Sequence, residues 1–183
     1  MPTKSQSATF SDKVRLANEE DKHTGFAFAK VPAVISKSHL RKGRITANVA
    51  VGKSSFDALF EPDGKLGHWF KIPERVRKAE KLSEGDSVDF QITLLAEQPE
   101  PDLPPLFKKL LNSSDSAQAT WAQATPLAKI DWVHWMESAK QAETRRKRER
   151  DAIDMLEHGK KRVCCFDASG FYSKSLCSPD QEA

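Results

Sequence analysis

Apolar and polar residues alternate through the first half of the chain with the period of two expected of strands buried on one face. The stretch "ATFSDKVRLA" alternates loosely and ends near Asn18. In "GFAFAKV", Phe26, Phe28 and Lys30 share one side, with Val31 next. "RITANVAVG" sets Ile45, Ala47, Val49 and Val51 on one face, and "DSVDFQITLL" does the same with Val88, Phe90, Ile92 and Leu94. "KSSFDALF" and "HWFKI" complete the set, with turn clusters at "NEEDKHT" and "EPDGKLG". Short strands at roughly ten-residue spacing, separated by turn signals, predict a small β-barrel or sandwich.

The strand-rich half repeats itself. "FAKVPAVI" (28–35) and "WFKIPERV" (69–76) share aromatic, Lys, β-branched residue, Pro, two further residues and a second β-branched residue. Gly43 follows Pro32 by 11 positions and Gly85 follows Pro73 by 12, and each leads into an alternating strand. A strand ending in Pro, a short helix, a Gly turn and a strand form one unit used twice. This predicts a barrel with pseudo-twofold symmetry built from a single chain.

The pattern changes at "AEQPEPDLPP". Pro99, Pro101, Pro104 and Pro105 end the last strand and make a stiff linker. Helical signals follow: "PPLFKKLL" with proline in a first turn, "SAQATWAQA" capped by Ser114 or Asp115, and "PLAKIDWVHWMESAK" opened by Thr125-Pro126. Trp132, Trp135 and Met136 have core spacing. A last helix ends at Gly159, well placed as a C-terminal cap. The remaining tail predicts a hairpin turning at Asp167–Gly170, with disorder beyond Leu176. The expected layout is a barrel over 6–97, a linker over 98–102, a helical region over 103–159 and a partly disordered tail over 160–183. The fold class is α+β, a small double-split β-barrel followed by helices.

Composition adds limits. With 38% hydrophobic and 30% charged residues, part of the 183-residue chain is expected to be solvated. The net charge of +3 is small for a polyanion binder. Residues 1–97 hold 16 Lys+Arg and 13 Asp+Glu, and residues 98–183 hold 13 of each, so the second half is neutral. Cys164, Cys165 and Cys177 have no zinc spacing and leave one thiol odd, which fits a reducing compartment. "MPTKSQSATFSDK" has no apolar signal core and no run approaches 18 apolar residues, so the expectation is a soluble cytoplasmic protein without membrane contact.

One stretch stands out. "AKQAETRRKRERDAIDMLEHG" carries six basic and two acidic residues between Lys140 and Arg150. Drawn as one helix over 138–158, it groups Trp135, Ala139, Ala142, Ile153 and Leu156 on the inward side. Arg146 and Glu149 fall there as well, with Arg145 at the edge. Glu143, Lys147, Asp151 and Asp154 face solvent, and Glu143–Lys147, Lys147–Asp151 and Arg145–Glu149 have (i, i+4) spacing. A nucleic-acid arm would be free of such interleaved acids. The leading reading is a solvated, salt-bridge-laced helix. An inward Arg–Glu network, bracing the helix or lining a small anionic pocket, comes second, and direct phosphate contact third.

Elsewhere, His68 has no second histidine at ligand spacing and reads as a strand-edge residue rather than a metal ligand. Ser54-Ser55 lacks the nucleophile frame, and Gly43, Gly52, Gly64 and Gly67 form no nucleotide-binding pattern. Lys30 and Lys71 occupy matching places in the repeat. A symmetric barrel would set them side by side to attract an anion, although lysines there more often guard strand edges. No catalytic constellation, cofactor or metal is expected.

"GHWFKIPERVRKAEKLSEGDSVDFQI", "PDLPPLFKKLL" and "KIDWVHWMESAKQAETRRKRERDAIDMLEHGKK" resemble the bacterial bacteriocin-protection family, also called YdeI/OmpD-associated, whose N-terminal part is a domain of unknown function. The likeness spans about residues 8 to 162 and is most specific around Ala139-Lys140, Glu143-Thr144-Arg145 and Arg148. Members often carry proline where this chain has Ala142, which implies a helix start there and a break near Lys140 or Gln141. "IPERVRKAEKLSEGDSVDF" is similar to the strand–Pro–helix–Gly-Asp–strand unit of AbrB/MazE-like double-split barrels. The family implies no agreed activity. The sequence therefore points to a non-catalytic binding or stress-protection role, organised by Glu143, Arg145, Arg148 and Glu149, with an anionic ligand or a protein as partner. The alternative is nucleic-acid binding through Lys30, Lys71, Arg75, Arg77 and Arg145–Arg150. A third reading is a small-molecule enzyme with His68 and Arg145 in one pocket between barrel and helices.

Overall fold

A computed structural model describes residues 7–17 and 25–180. The turn cluster 18–24 lies outside the described residues. The chain divides into two compact units, Met1–Glu97 with Ser169–Ala183, and Gln98–Ala168.

The first unit holds seven strands: β1 (Ser7–Lys13), β2 (Arg15–Ala17), β3 (Phe26–Val31), β4 (Ile45–Val51), β5 (Ser54–Pro62), β6 (His68–Ile72) and β7 (Ser87–Leu94). They form one antiparallel sheet in the order β1-β7-β4-β5-β6-β3-β2. The edge strands β1 and β2 are consecutive in sequence, separated by Val14 alone. One run of chain therefore serves both edges, and the sheet curls so that they meet at a seam. Asp12 stitches this seam: its carboxylate accepts from the Lys30 backbone N–H at 2.7 Å and from the Arg15 guanidinium at 2.6 Å.

The interior is the alternating face. Ile45, Ala47, Val49 and Val51 of β4 meet Phe56, Ala58 and Phe60 of β5, Phe70 and Ile72 of β6, and Phe90 and Ile92 of β7. Ring centroids lie 4.9 Å apart for Phe60–Phe70 and 5.4 Å apart for Phe70–Phe90, the second pair edge to face. In β3 the alanines face inward. Ala27, Ala29 and Val31 join this core, whereas Phe26 and Phe28 lie on the outer face with Trp69. Small residues here leave room for the phenylalanine cluster.

The repeat is a true pseudo-twofold. Between β3 and β6, Phe28 pairs with Lys71 and Lys30 with Trp69, so a half turn exchanges the two repeats. Each copy carries a short helix begun by proline, α1 (Ala33–His39) after Pro32 and α2 (Glu74–Ala79) after Pro73. The Gly turns differ: Gly85 takes φ +90°, a left-handed conformation that Gly43 does not share.

The second unit holds α3 (Pro105–Leu111), α4 (Asp115–Ala122), α5 (Pro126–Glu137) and α6 (Ala142–Glu157) around Phe107, Trp121, Trp132, Met136 and Leu156. Local caps set the boundaries. Ser114 accepts from Ala117 N–H and Thr125 from Ala128 N–H. Gly159 (φ +78°) closes α6, with Gly159 N–H donating to Leu156 and Lys160 N–H to Met155, the two bonds of a Schellman turn.

Two expectations are corrected. Residues 138–158 are not one helix, because α5 stops at Glu137 and α6 starts at Ala142. The phase changes across this break, so Ala142 and Arg146 are exposed rather than inward. The tail forms no hairpin: no strand occurs among its described residues. Cys177–Asp180 instead dock on the barrel unit, with Ser178 fully buried and Asp180 2.7 Å from the Lys30 ammonium. Gly64 makes room for this segment: a Cβ there would lie 2.2 Å from the Leu176 carbonyl oxygen, and φ is +71°.

Candidate functional site

In the barrel unit, three separate stretches of chain line a recess of about 200 Å³. Ser36 and Lys37 come from α1, Leu40, Arg41 and Lys42 from the segment directly after it, Leu66, Gly67 and His68 from the β5–β6 turn and the start of β6, and Ser169 from the tail. The turn is fixed by Asp63, whose carboxylate accepts from Lys65 N–H at 2.7 Å and Gly67 N–H at 2.8 Å. A Cβ on residue 67 would lie 2.4 Å from that carboxylate, so a larger residue there would displace Asp63. The turn delivers His68 into β6 in the same inward register as Phe70 and Ile72, opposite Val31 and Pro62.

His68 is 2% exposed, as is Ser36. The His68 Nε2–H donates to the Gly43 carbonyl at 3.2 Å, since a carbonyl can only accept. Burial pushes the imidazole pKa down, against the opposing pull of the Gly43 carbonyl, the Asp63 carboxylate and the Arg41 carbonyl, so the ring is neutral at neutral pH. Its Nδ1 therefore presents a lone pair. Among the described residues, neither this atom nor the Ser36 hydroxyl finds a hydrogen-bond partner. Two buried polar atoms without partners in one recess are a departure from ordinary packing, because each costs about 1–3 kcal/mol if left unmet. Cations surround them: Lys37 and Lys42 are exposed and Arg41 is half-buried.

The other predicted residues are placed differently. Lys30 and Lys71 do lie diagonally on one outer face, but Lys30 is held by Asp180, and the Lys71 ammonium sits 3.9 Å above the Phe26 ring. They do not form a bare cationic pair. In the helical unit no Arg–Glu ion pair of this cluster forms among the described residues, and Arg145, Arg148 and Glu149 turn to backbone instead. Arg148 donates to the Trp135 carbonyl at 2.6 Å and the Ser138 hydroxyl at 3.0 Å, and its guanidinium lies 5.3 Å from the Trp135 ring centroid. Arg145 donates to the carbonyls of Ala139 and Lys140 at 2.8 and 2.9 Å. Both cations thus close the C-terminal end of α5 and the turn after it, where orphan carbonyls and the helix dipole favour positive charge. Glu149, 8% exposed, accepts from the Phe107 N–H at 2.8 Å and caps the N-terminus of α3, whose Pro104 supplies no side-chain cap. Glu143 is exposed. Of the three spaced pairs, Lys147–Asp151 forms, at 2.7 Å.

Sequence reading missed Ser36, Lys37, Arg41, Lys42, Leu66 and Ser169. A signal existed for Ser36, which lies between Pro32 and Leu40 at four-residue steps, where the helical period calls for an apolar residue. Nothing local connects Ser169 to His68. Among the described residues no cluster of three or more His, Cys, Asp or Glu could hold a metal ion, and no helix is long and apolar enough to cross a membrane.

The structure defines a two-part protein, a curled seven-strand antiparallel sheet followed by a capped helical region. The helical residues 100–159 match the family described as Bacteriocin-protection, YdeI or OmpD-Associated, and residues 13–92 match the Domain of unknown function (DUF1905). The helical region is thus of the YdeI/OmpD-associated type, and the barrel corresponds to the domain of unknown function. No curated protein matches the chain.

Proposed function

We propose that this is a cytoplasmic, non-catalytic binding protein with a protective role, and that its barrel unit takes up a small anionic ligand in the His68 recess. One observation carries the reading: His68 Nδ1 and Ser36 Oγ are both buried without partners, inside a recess lined by Lys37, Arg41 and Lys42. The Ser36 hydroxyl is not hydrogen-bonded to the imidazole, so the two do not make a nucleophile–base pair. That favours binding over catalysis. The cations proposed for nucleic acid are in good part engaged within the protein: Lys30 is paired with Asp180, Arg77 with Glu74 at 2.7 Å, and Arg145 and Arg148 donate to backbone carbonyls.

A thermal-shift screen of anionic metabolites, with random duplex DNA alongside, tests this. Small anions are expected to raise Tm saturably, and Lys42→Gln to weaken the shift. A salt-dependent shift with DNA and none with metabolites would replace this reading with nucleic-acid binding.

A further inference from the structure

We infer that the occupant of the recess is a small hydroxylated carboxylate, its hydroxyl donating to His68 Nδ1 and its carboxylate meeting Lys37 and Lys42. This rests on the recess being a ligand site, and three features narrow the chemistry.

The first is hydrogen-bond polarity. Because Nε2 spends its proton on the Gly43 carbonyl, Nδ1 can only accept, and its complement must be a donor. A bare carboxylate, sulfate or phosphate dianion placed against this lone pair would be repelled. The Ser36 hydroxyl can donate or accept, so a ligand hydroxyl could satisfy both buried atoms at once, giving a proton to Nδ1 and taking one from Ser36. The neutral ring, held so by burial, keeps this polarity at neutral pH.

The second is charge. The recess lining includes three cations, Lys37, Arg41 and Lys42, and no carboxylate. Arg41 is already engaged with the Arg44 carbonyl at 3.3 Å, which leaves the two exposed lysines as the groups best placed to meet an anion. The third is size. A recess of about 200 Å³ holds on the order of seven water-sized groups at ~30 Å³ each. That is the scale of a three-carbon hydroxy acid and far below a nucleotide. Leu40 and Leu66 offer apolar contact for a short carbon chain.

The test uses the full chain labelled with 15N at histidine. Lactate and glycerate are titrated against propionate, which lacks the hydroxyl, and glycerol, which lacks the charge. The hydroxy acids are expected to move the His68 Nδ1 resonance and to bind at least about tenfold tighter than propionate, the factor that one unmet buried hydrogen bond represents. Ser36→Ala should weaken lactate about tenfold and leave propionate unchanged. Lys42→Gln, at an exposed position, should weaken both acids alike. If propionate binds as well as lactate, or another anion from the wider screen moves His68 while the hydroxy acids do not, the hydroxy-acid assignment is wrong and the anion site stands. If no anion in the screen moves the His68 resonance, both are wrong.

Discussion

Both units bury charged or polar side chains, but they use them in opposite ways. In the helical unit Glu149, Arg145, Arg148 and Lys129 are consumed by the fold. Glu149 caps α3, Arg145 and Arg148 close α5, and Lys129, 8% exposed, reaches Glu100 at 2.7 Å. In the barrel unit His68 and Ser36 are buried as deeply and left unmet. The arginine-rich stretch that draws attention in the sequence is thus helix-end chemistry, and the inconspicuous histidine marks the opening. Inward charge by itself says little about binding; what matters is whether a partner is already present.

The sharpest way to break this contrast is to remove the barrel core. Phe70→Ala deletes a fully buried ring in contact range of Phe56, Phe60 and Phe90 and should cost about 3–5 kcal/mol, measured by urea unfolding. All ligand shifts at the His68 recess should vanish with it. Next comes the helical unit. Arg148→Ala, which uncovers the Trp135 carbonyl and its ring, and Glu149→Ala, which orphans the Phe107 N–H, should each cost about 1–3 kcal/mol without altering ligand shifts. Glu149→Gln keeps an acceptor and should recover most of the loss. If either alanine variant removed ligand binding while leaving stability intact, the helical cluster would be a site after all and the contrast would fail.

Smaller effects sharpen the contrast. Because burial depresses the His68 pKa below its unfolded value of 6.5, the unfolded chain binds more protons there, so His68 contributes stability that is complete above about pH 6.5 and falls as pH drops towards the folded pKa. A pH series of thermal melts should show this fall, flattened in His68→Gln. Smallest of all, Lys147→Ala breaks an exposed (i, i+4) pair and should change stability by no more than about 0.5 kcal/mol.

Much of the fold is legible because it is local. Alternation at Ile45–Val51 and Phe90–Ile92 marks the barrel interior, and Ser114, Thr125 and Gly159 mark helix ends with short-range hydrogen bonds. The repeat around Pro32 and Pro73 carries its symmetry into the Phe28–Lys71 and Lys30–Trp69 pairs. The partners of the arginines were not legible: Arg148 reaches a carbonyl 13 residues away, across a break that resets the helical phase. A single wheel cannot foresee that.

The sequence by itself determined where the main strands lie, where the helices capped by Ser114, Thr125 and Gly159 begin or end, and that the barrel is built twice over from one motif, because period, caps and turns act over a few residues. Only the tertiary structure decided that the alanines of β3 face inward, that the arginines serve backbone, and that Ser36, His68 and Ser169 share a recess. Those outcomes depend on which distant surfaces pack together and on whether packing leaves a polar atom satisfied, and neither is written in any short stretch of chain.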